Sequence, residues 1–424
     1  MSRSLYSALW WLALPLVLAR LWWRGLREPG YRAHVGERLG FYGRRGDATA
    51  GHTIWIHAVS VGETRAAEPL VDALMAAYPH SRIVLTHMTP TGRAAGAALF
   101  SKHAERLVQS YLPYDTAPMV RRFLQHFKPR ICILMETEVW PNLIALCAER
   151  GVAIALVNAR LSERSLRRAG RFGALLSDAA RRITLVAAQS EPDADRVRAL
   201  GVTRVAVTGS IKFDVVVPEA ALATGAALRE RIGARPVLLC ASTRDGEEAL
   251  ILDAFRRLPS RPAGMLLLIV PRHPQRFDDV AALVRAHGLS LARRSDGAAL
   301  APDIEVLLGD SMGEMFAYYA ACDCAFIGGS LLPLGGQNLI EACALGKPVL
   351  IGEHTFNFAL ITDEAVAAGA AQRAHDAVHM LRLASAQLQD GAGRAAMGAC
   401  AAAFADRHRG ATARTVELLR PLID

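Results

Sequence analysis

The chain lacks the usual signatures of nucleotide chemistry. It has no Walker-type glycine–lysine loop and no Gly-x-Gly-x-x-Gly turn between a strand and a helix. A P-loop nucleotidase and a simple dinucleotide oxidoreductase are therefore disfavoured. Its seven cysteines (Cys132, Cys147, Cys240, Cys322, Cys324, Cys343 and Cys400) are odd in number, scattered and mostly set in apolar runs. That pattern argues against a disulfide framework and reads as reduced, cytosolic core thiols. Cys322-x-Cys324 has no second Cys or His pair at ligand spacing, so no metal site is expected. No small-x-small cleavage site follows the apolar N-terminus, which speaks against a removed signal peptide. The net charge is +9, yet no Lys/Arg block interleaved with aromatics occurs beyond the N-terminal region. Anionic partners are expected, but not nucleic acid.

At 424 residues the chain is long enough for two substantial cores. Leu5 to Ala19 is apolar except for Ser7 and Pro15, and continues after Arg20 as Leu21-Trp22-Trp23. Fifteen helical residues reach only about 22 Å against a hydrocarbon core of roughly 30 Å. A short span with Arg20 at the boundary and a helix lying on the membrane both fit; a buried helix of the first domain is the plainer alternative. Arg20, Arg24, Arg27, Arg32, Arg38, Arg44 and Arg45 follow, against Glu28 and Glu37. Such an excess favours a cytoplasmic position for the remainder and attracts anionic headgroups.

From Thr53 to Val207, short apolar or β-branched runs alternate with helical patterns. We read strands at Thr53–His57, Arg82–Thr86, Arg130–Met135, Ala153–Asn158, Ile183–Ala187 and Arg204–Val207. A second alternation follows Pro218 to Gly225, with strands at Pro236–Ala241, Met265–Pro271, Glu305–Leu308, Cys324–Ile327 and Pro348–Ile351. The pattern specifies an α/β protein of two doubly wound, Rossmann-like domains, with ligands beyond the carboxyl ends of parallel strands. The expected division is 1–45 membrane-associated helix and basic segment, 46–217 first domain, 218–400 second domain, and 401–424 a final helix crossing back to the first.

The loops at those carboxyl ends carry the polar residues. After the first strand, Gly62-Glu63 opens a helix; after the third comes Glu136-Thr137-Glu138; after the fourth, Arg160 with Glu163 and Arg164; and the last strand of this half leads into Lys212. Glu63 fits a ligand contact and equally a first-turn helix cap. Glu136 and Glu138 are also readable as solvated loop charges, and the arginines as rim ion pairs of little weight. In the second half the loops are Ser242-Thr243-Arg244, Pro271-Arg272-His273-Pro274, Met312-Gly313-Glu314 and the long turn from Gly328-Gly329-Ser330 to Gly335-Gly336-Gln337-Asn338. Paired glycines and a helix start suit an anionic, phosphate-bearing ligand. Glu341, three residues after Asn338, fits either a capping box or a ribose contact.

These motifs, in order, resemble the 3-deoxy-D-manno-octulosonic acid (Kdo) transferases of lipopolysaccharide synthesis. The similarity is carried by Gly36-Glu37-Arg38-Leu39-Gly40, His57-Ala58-Val59-Ser60-Val61-Gly62-Glu63, Met135-Glu136-Thr137-Glu138, Trp140-Pro141-Asn142, Asn158-Ala159-Arg160, Gly209-Ser210-Ile211-Lys212, Pro271-Arg272-His273-Pro274, Met312-Gly313-Glu314 and His354-Thr355-Phe356-Asn357. Gln337 departs from it, where a histidine is expected. The resemblance implies a GT-B-type fold facing a cleft. It also implies an inverting, metal- and cofactor-free transfer of Kdo from CMP-Kdo to the acylated, phosphorylated glucosamine disaccharide precursor of lipid A, at the cytoplasmic face of the inner membrane. By the same resemblance Glu63 is general base, and Glu136 and Lys212 stabilise the transition state. Pro271, Arg272, Met312, Gly313, Glu314, Asn338, Leu339, Ile340 and Glu341 contact CMP. Two rivals remain at this level: a GT-B enzyme or epimerase using a UDP-sugar, and a membrane-bound scaffold that keeps a nucleotide fold without catalysis.

Overall fold

In the computed structural model, residues 1–43, 51–163, 165–167, 173–259, 261–297 and 300–424 are described; Arg44, Arg45 and Arg164 lie outside them. The chain divides into two units, Met1–Asp214 with Arg409–Asp424, and Val215–His408.

The first unit is built on a parallel seven-stranded sheet of β1 (Thr53–His57), β2 (Arg82–His87), β3 (Leu107–Tyr111), β4 (Pro129–Met135), β5 (Ala153–Ala159), β6 (Leu185–Ala188) and β7 (Val205–Val207), in the order β3-β2-β1-β4-β5-β6-β7. Successive side chains of β1 go to opposite faces. Ile54 and Ile56 join the core beneath the helix Ala411–Ile423, and Trp55 joins the core on the other face. Burial on both faces is why these strands read as continuous apolar runs. The final helix is fastened by Asp214, whose carboxylate accepts from the Gly410 and Thr412 N–H groups at 2.5 Å each.

The second unit repeats the plan with β8 (Val237–Thr243), β9 (Leu266–Pro271), β10 (Leu291–Arg293), β11 (Val306–Leu308), β12 (Cys324–Ile327), β13 (Val349–Gly352) and β14 (Ala371–Ala374), in the order β10-β11-β9-β8-β12-β13-β14. Three strands escaped the sequence reading: β3, β10 and β14. All three are sheet edges. An edge strand has one open side and needs less apolar side chain, so Leu-Ala-Arg and Ala-Gln-Arg-Ala carry too little pattern to stand out.

The N-terminal helix is longer than the apolar run suggested. It covers Arg3–Arg27, with Pro15 inside it, and at 25 residues extends about 37 Å. Arg20 does not end it, because an arginine is a good helix former on an exposed face. Only Leu14 and Gly25 are buried. One side is tied to the first unit: Arg3 pairs with Glu149 at 2.8 Å, the Tyr6 hydroxyl donates to Asp115 at 2.9 Å, and Ser7 donates to Asn142 at 3.1 Å. Trp10 packs on Tyr114. The far end is held too, by Arg32 donating to the Trp22 carbonyl and stacking over the Trp22 ring. The other side exposes Leu5, Leu9, Trp11, Leu12, Leu16, Trp22, Trp23 and Leu26.

Candidate active site

In a doubly wound sheet, strands added first to one side and then to the other leave a crevice between the first strand and the one that reverses the order. In the first unit that switch lies between β1 and β4. Their carboxyl-end loops carry Glu63 and the pair Glu136 and Glu138.

Glu63 sits in the helix Val61–Ala66, capped by Ser60. The Val59 N–H donates to its Oε2 at 2.7 Å, so the carboxylate does reach back over the helix start like a first-turn cap. It is half-buried, and its pKa is pushed up from 4.5 to about 7. Burial is the largest cause, and the neighbouring Glu136 and Glu138 add to it, against the lowering effect of the Val59 N–H. Capping and ligand contact, set apart as alternatives in the sequence, are thus compatible in one side chain. Among the described residues one backbone donor is spent on it, and the Ser60 hydroxyl adds a long contact to Oε1 at 3.5 Å.

Glu136 ends β4 with a left-handed backbone, φ 59°, and pairs with Lys212 Nζ at 2.8 Å. Lys212 lies in the 3₁₀ turn Ile211–Phe213. The Ile211 N–H donates at 3.1 Å to the side chain of buried Asn158, itself left-handed at φ 53°. Strain at two non-glycine positions beside one ion pair is typical of sites where surrounding structure enforces a geometry. The Arg160 N–H contacts the Glu136 carbonyl at 3.4 Å, so this arginine's backbone belongs to the same turn. Burial, with the Glu136 charge added, also raises the Glu138 carboxyl.

His57, a position without a role in the sequence reading, closes the floor. It is fully buried, and burial lowers its pKa to about 3. Its Nδ1 is 3.1 Å from the Thr86 carbonyl, which only accepts, so we assign the proton to Nδ1. Nε2 is then an acceptor without a hydrogen-bond partner among the described residues, 4.0 Å from Glu138.

The second unit has its switch between β8 and β12, and here the structure corrects the sequence reading. The N–H groups of Gly329, Ser330 and Leu331 do not wait for a ligand. They donate to the carboxylate of Glu247 at 2.6, 3.0 and 3.0 Å, and the Arg244 N–H joins them at 2.9 Å. Glu247 is wholly buried. A helix does begin after Gly335-Gly336 and Asn338, but it is short, covering Ile340–Ala344. Asn338 Oδ1 accepts from the Ile340 N–H at 3.0 Å, and its Nδ2 donates to Glu341 at 3.3 Å, so the two side chains meet at the helix start. Leu339 and Ile340 are buried, which leaves only their backbone for a ligand.

The remaining candidates line the same edge in the order of the strands β11, β9, β8 and β12. Pro271 is buried at the end of β9, and the Arg272 N–H donates to the Thr243 carbonyl at 2.9 Å. Met312 is exposed, Gly313 is left-handed at φ 82°, and Glu314 pairs with Arg294 at 3.1 Å. Arg276 is neutralised by Glu248 at 2.8 Å and Asp245 at 3.0 Å. Burial lowers the pKa of His273, helped by the charges of Arg244, Arg272 and Arg276. The signal for Glu247 and Glu248 was two adjacent carboxylates in the first turn of a helix after a strand. In sequence such a pair is indistinguishable from ordinary N-terminal charges. Among the described residues, no cluster of three or more His, Cys, Asp or Glu groups is arranged to hold a metal.

Comparison with known proteins adds a lineage to this geometry. Residues 33–215 match the family model described as 3-Deoxy-D-manno-octulosonic-acid transferase (kdotransferase). The chain is 48% identical over 428 residues to the 3-deoxy-D-manno-octulosonic acid transferase of Bordetella pertussis, covering 99% of each. It is 37% identical to the protein of that name from Haemophilus influenzae, over 100% of this chain and 99% of the relative. Among solved structures, the UDP-GlcNAc 2-epimerase of Neisseria meningitidis bound to UDP-GlcNAc aligns with TM-score 0.59 at 15% identity, over 87% of this chain and 100% of that one. At that identity the likeness is one of fold.

Proposed function

This chain belongs to the 3-deoxy-D-manno-octulosonic acid (Kdo) transferase family, and from that premise we propose that it transfers Kdo from CMP-Kdo to the acylated, phosphorylated glucosamine disaccharide precursor of lipid A. The observation that carries the reading is Glu63. A carboxylate held near pKa 7 by burial and by two neighbouring glutamates is matched to taking a proton at neutral pH, and a positioned base is worth roughly 10²–10⁴ in rate.

In the proposed reaction Glu63 accepts the proton of an acceptor sugar hydroxyl as its oxygen bonds to the anomeric carbon of Kdo. The bond from that carbon to the phosphate oxygen breaks, and CMP departs with the electron pair, so the configuration inverts. Positive charge developing on the sugar ring is eased by Glu136, and Lys212, its partner at 2.8 Å, is the cation for the Kdo carboxylate. Loops at the edge of the second sheet, Pro271-Arg272, Met312 to Glu314 and Asn338 to Glu341, take the CMP. Fixed cations and N–H donors stand in for a divalent ion at the leaving phosphate.

The N-terminal helix sets the proposed location, the cytoplasmic face of the inner membrane. Its start is tied to the first unit by Arg3 and Tyr6, and the turn Pro29–Arg32 that follows its end packs against the helix Pro90–Leu99 of the same unit. A helix crossing the bilayer cannot keep both ends on one domain, so we place it in the membrane plane, with Leu12, Leu16, Trp22 and Trp23 in the acyl boundary and Arg24 and Arg27 among anionic headgroups.

Mass spectrometry of products from the lipid A precursor and CMP-Kdo tests the reading, with UDP-sugars as competing donors. The expected product is the precursor carrying added Kdo, with release of CMP. Transfer from a UDP-sugar, or no transfer at all, overturns it.

A further inference from the structure

One cation at the second switch point, Arg244, has no partner for its side chain among the described residues. Arg244 ends the turn after β8, and its N–H is locked by buried Glu247, which also holds Gly329, Ser330 and Leu331 after β12. A single carboxylate thus sets the backbone of Arg244 and of the glycine turn in one register, across the crevice where doubly wound sheets bind ligands. Gly329 is left-handed at φ 70°, and a side chain there would meet Gln337 Nε2 at 3.2 Å and Arg244 Cγ at 3.5 Å. The two side chains therefore bracket the same bare patch of backbone.

The neighbours are compensated and Arg244 is not. Arg276 is paired with Glu248 and Asp245, whereas the half-buried Arg244 makes no side-chain hydrogen bond or ion pair among the described residues. A guanidinium left unpaired beside a glycine-bared backbone is suited to a phosphate, which it can engage through two parallel N–H groups. Gln337, uncharged where the family resemblance leads one to expect histidine, lies at the same glycine.

We propose that Arg244 is a donor-recognition residue that pairs with the phosphate of the cytidine nucleotide, with Gln337 as its uncharged neighbour and Glu247 as the positioning residue behind it. The proposal deepens the reading above and rests on the donor being a cytidine nucleotide. The experiment is calorimetric titration of the full-length protein in detergent with CMP and, separately, with cytidine, for wild type, Arg244→Ala and Arg244→Lys. Loss of one charge-assisted contact predicts CMP binding weaker by roughly 10- to 100-fold in Arg244→Ala. Arg244→Lys should be intermediate, and cytidine affinity unchanged in both. The melting temperature checks that the variants are folded.

Equal weakening of CMP and cytidine would make Arg244 structural and overturn the proposal, as would unchanged CMP affinity. Weakening of CMP-Kdo alone, with CMP intact, would move the contact to the Kdo carboxylate and also overturn it. A wild-type protein that binds CMP but transfers no Kdo refutes the proposed reaction while leaving the Arg244 result to stand by itself. A wild type that does not bind CMP at all removes both.

Discussion

Glu63 and Glu247 occupy corresponding places in the two sheets, in the first turn of the helix that follows the first strand, β1 or β8, beside the switch point. Their treatment is opposite. Glu247 is wholly buried and surrounded by four backbone N–H groups, so its charge is spent on holding a turn. Glu63 receives one such group and faces two other carboxylates. The fold supplies the position, and the degree of compensation sets Glu63, the proposed base, apart from Glu247, which holds a turn. This also explains why the glycine turn, which looks in sequence like a phosphate cradle, is internally filled. Its donors already have an anion.

The comparison is broken most directly by removing the charge at each place in turn. Glu63→Gln is expected to lower kcat roughly 10²- to 10⁴-fold, with CMP affinity and melting temperature near those of wild type, measured by steady-state kinetics, calorimetry and thermal unfolding. Turnover within a factor of a few would sink the base assignment. Glu247→Gln should act on the fold instead. An amide oxygen cannot accept all four donors, and its NH2 group confronts N–H groups, so we expect a loss of about 3 kcal/mol in unfolding free energy, read by denaturant titration. If Glu247→Gln unfolds like wild type, the carboxylate is not what holds the turn.

A finer test concerns pH. The folded-state pKa of Glu63 is raised from 4.5 to about 7. Its basic form is therefore lost as pH falls through 7, and kcat/KM should drop tenfold per unit below that. The same shift means that the fold favours the protonated form, so the contribution of Glu63 to stability declines as pH rises from 4.5 to 7 while activity climbs. Glu138→Gln removes one like charge and should move the activity limb to lower pH. A limb that stays in place would remove Glu138 as a cause and leave the shift to burial, its largest cause, with Glu136.

How legible this was differs along the chain. The central strands were readable because burial on both faces makes them apolar throughout; β3, β10 and β14 were not, because an edge asks less of its residues. The division of labour between Glu63 and Glu247 was out of reach for a different reason. It depends on which donors and charges arrive from distant segments, Gly329 to Leu331 in one case and Glu136 with Glu138 in the other, and local spacing records neither. Lys212 could be placed near a charge, but its partner Glu136 comes from another strand. The roles proposed for Glu63, Glu136 and Lys212 rest on resemblance; the geometry adds a raised carboxyl at Glu63 and an ion pair between Glu136 and Lys212 that suit the proposal.

The smallest expected effect probes a link peculiar to the first unit. Asp115 accepts from the Asn142 and Leu143 N–H groups at 3.0 and 2.8 Å, capping the helix that follows the Glu136–Trp140 loop, and the same carboxylate takes the Tyr6 hydroxyl at 2.9 Å. The N-terminal helix is thus fastened to the segment that carries the acidic pair. Tyr6→Phe deletes one hydrogen bond and should cost about 1 kcal/mol, seen as a lower melting temperature with vesicle binding unchanged, because Tyr6 is on the docked side. Leu12→Asp with Leu16→Asp, at positions 75% and 73% exposed, should do the reverse: abolish co-sedimentation with anionic vesicles and leave melting alone. If the leucine pair changes melting while Tyr6→Phe changes vesicle binding, the two faces have been assigned the wrong way round and the in-plane placement fails with them.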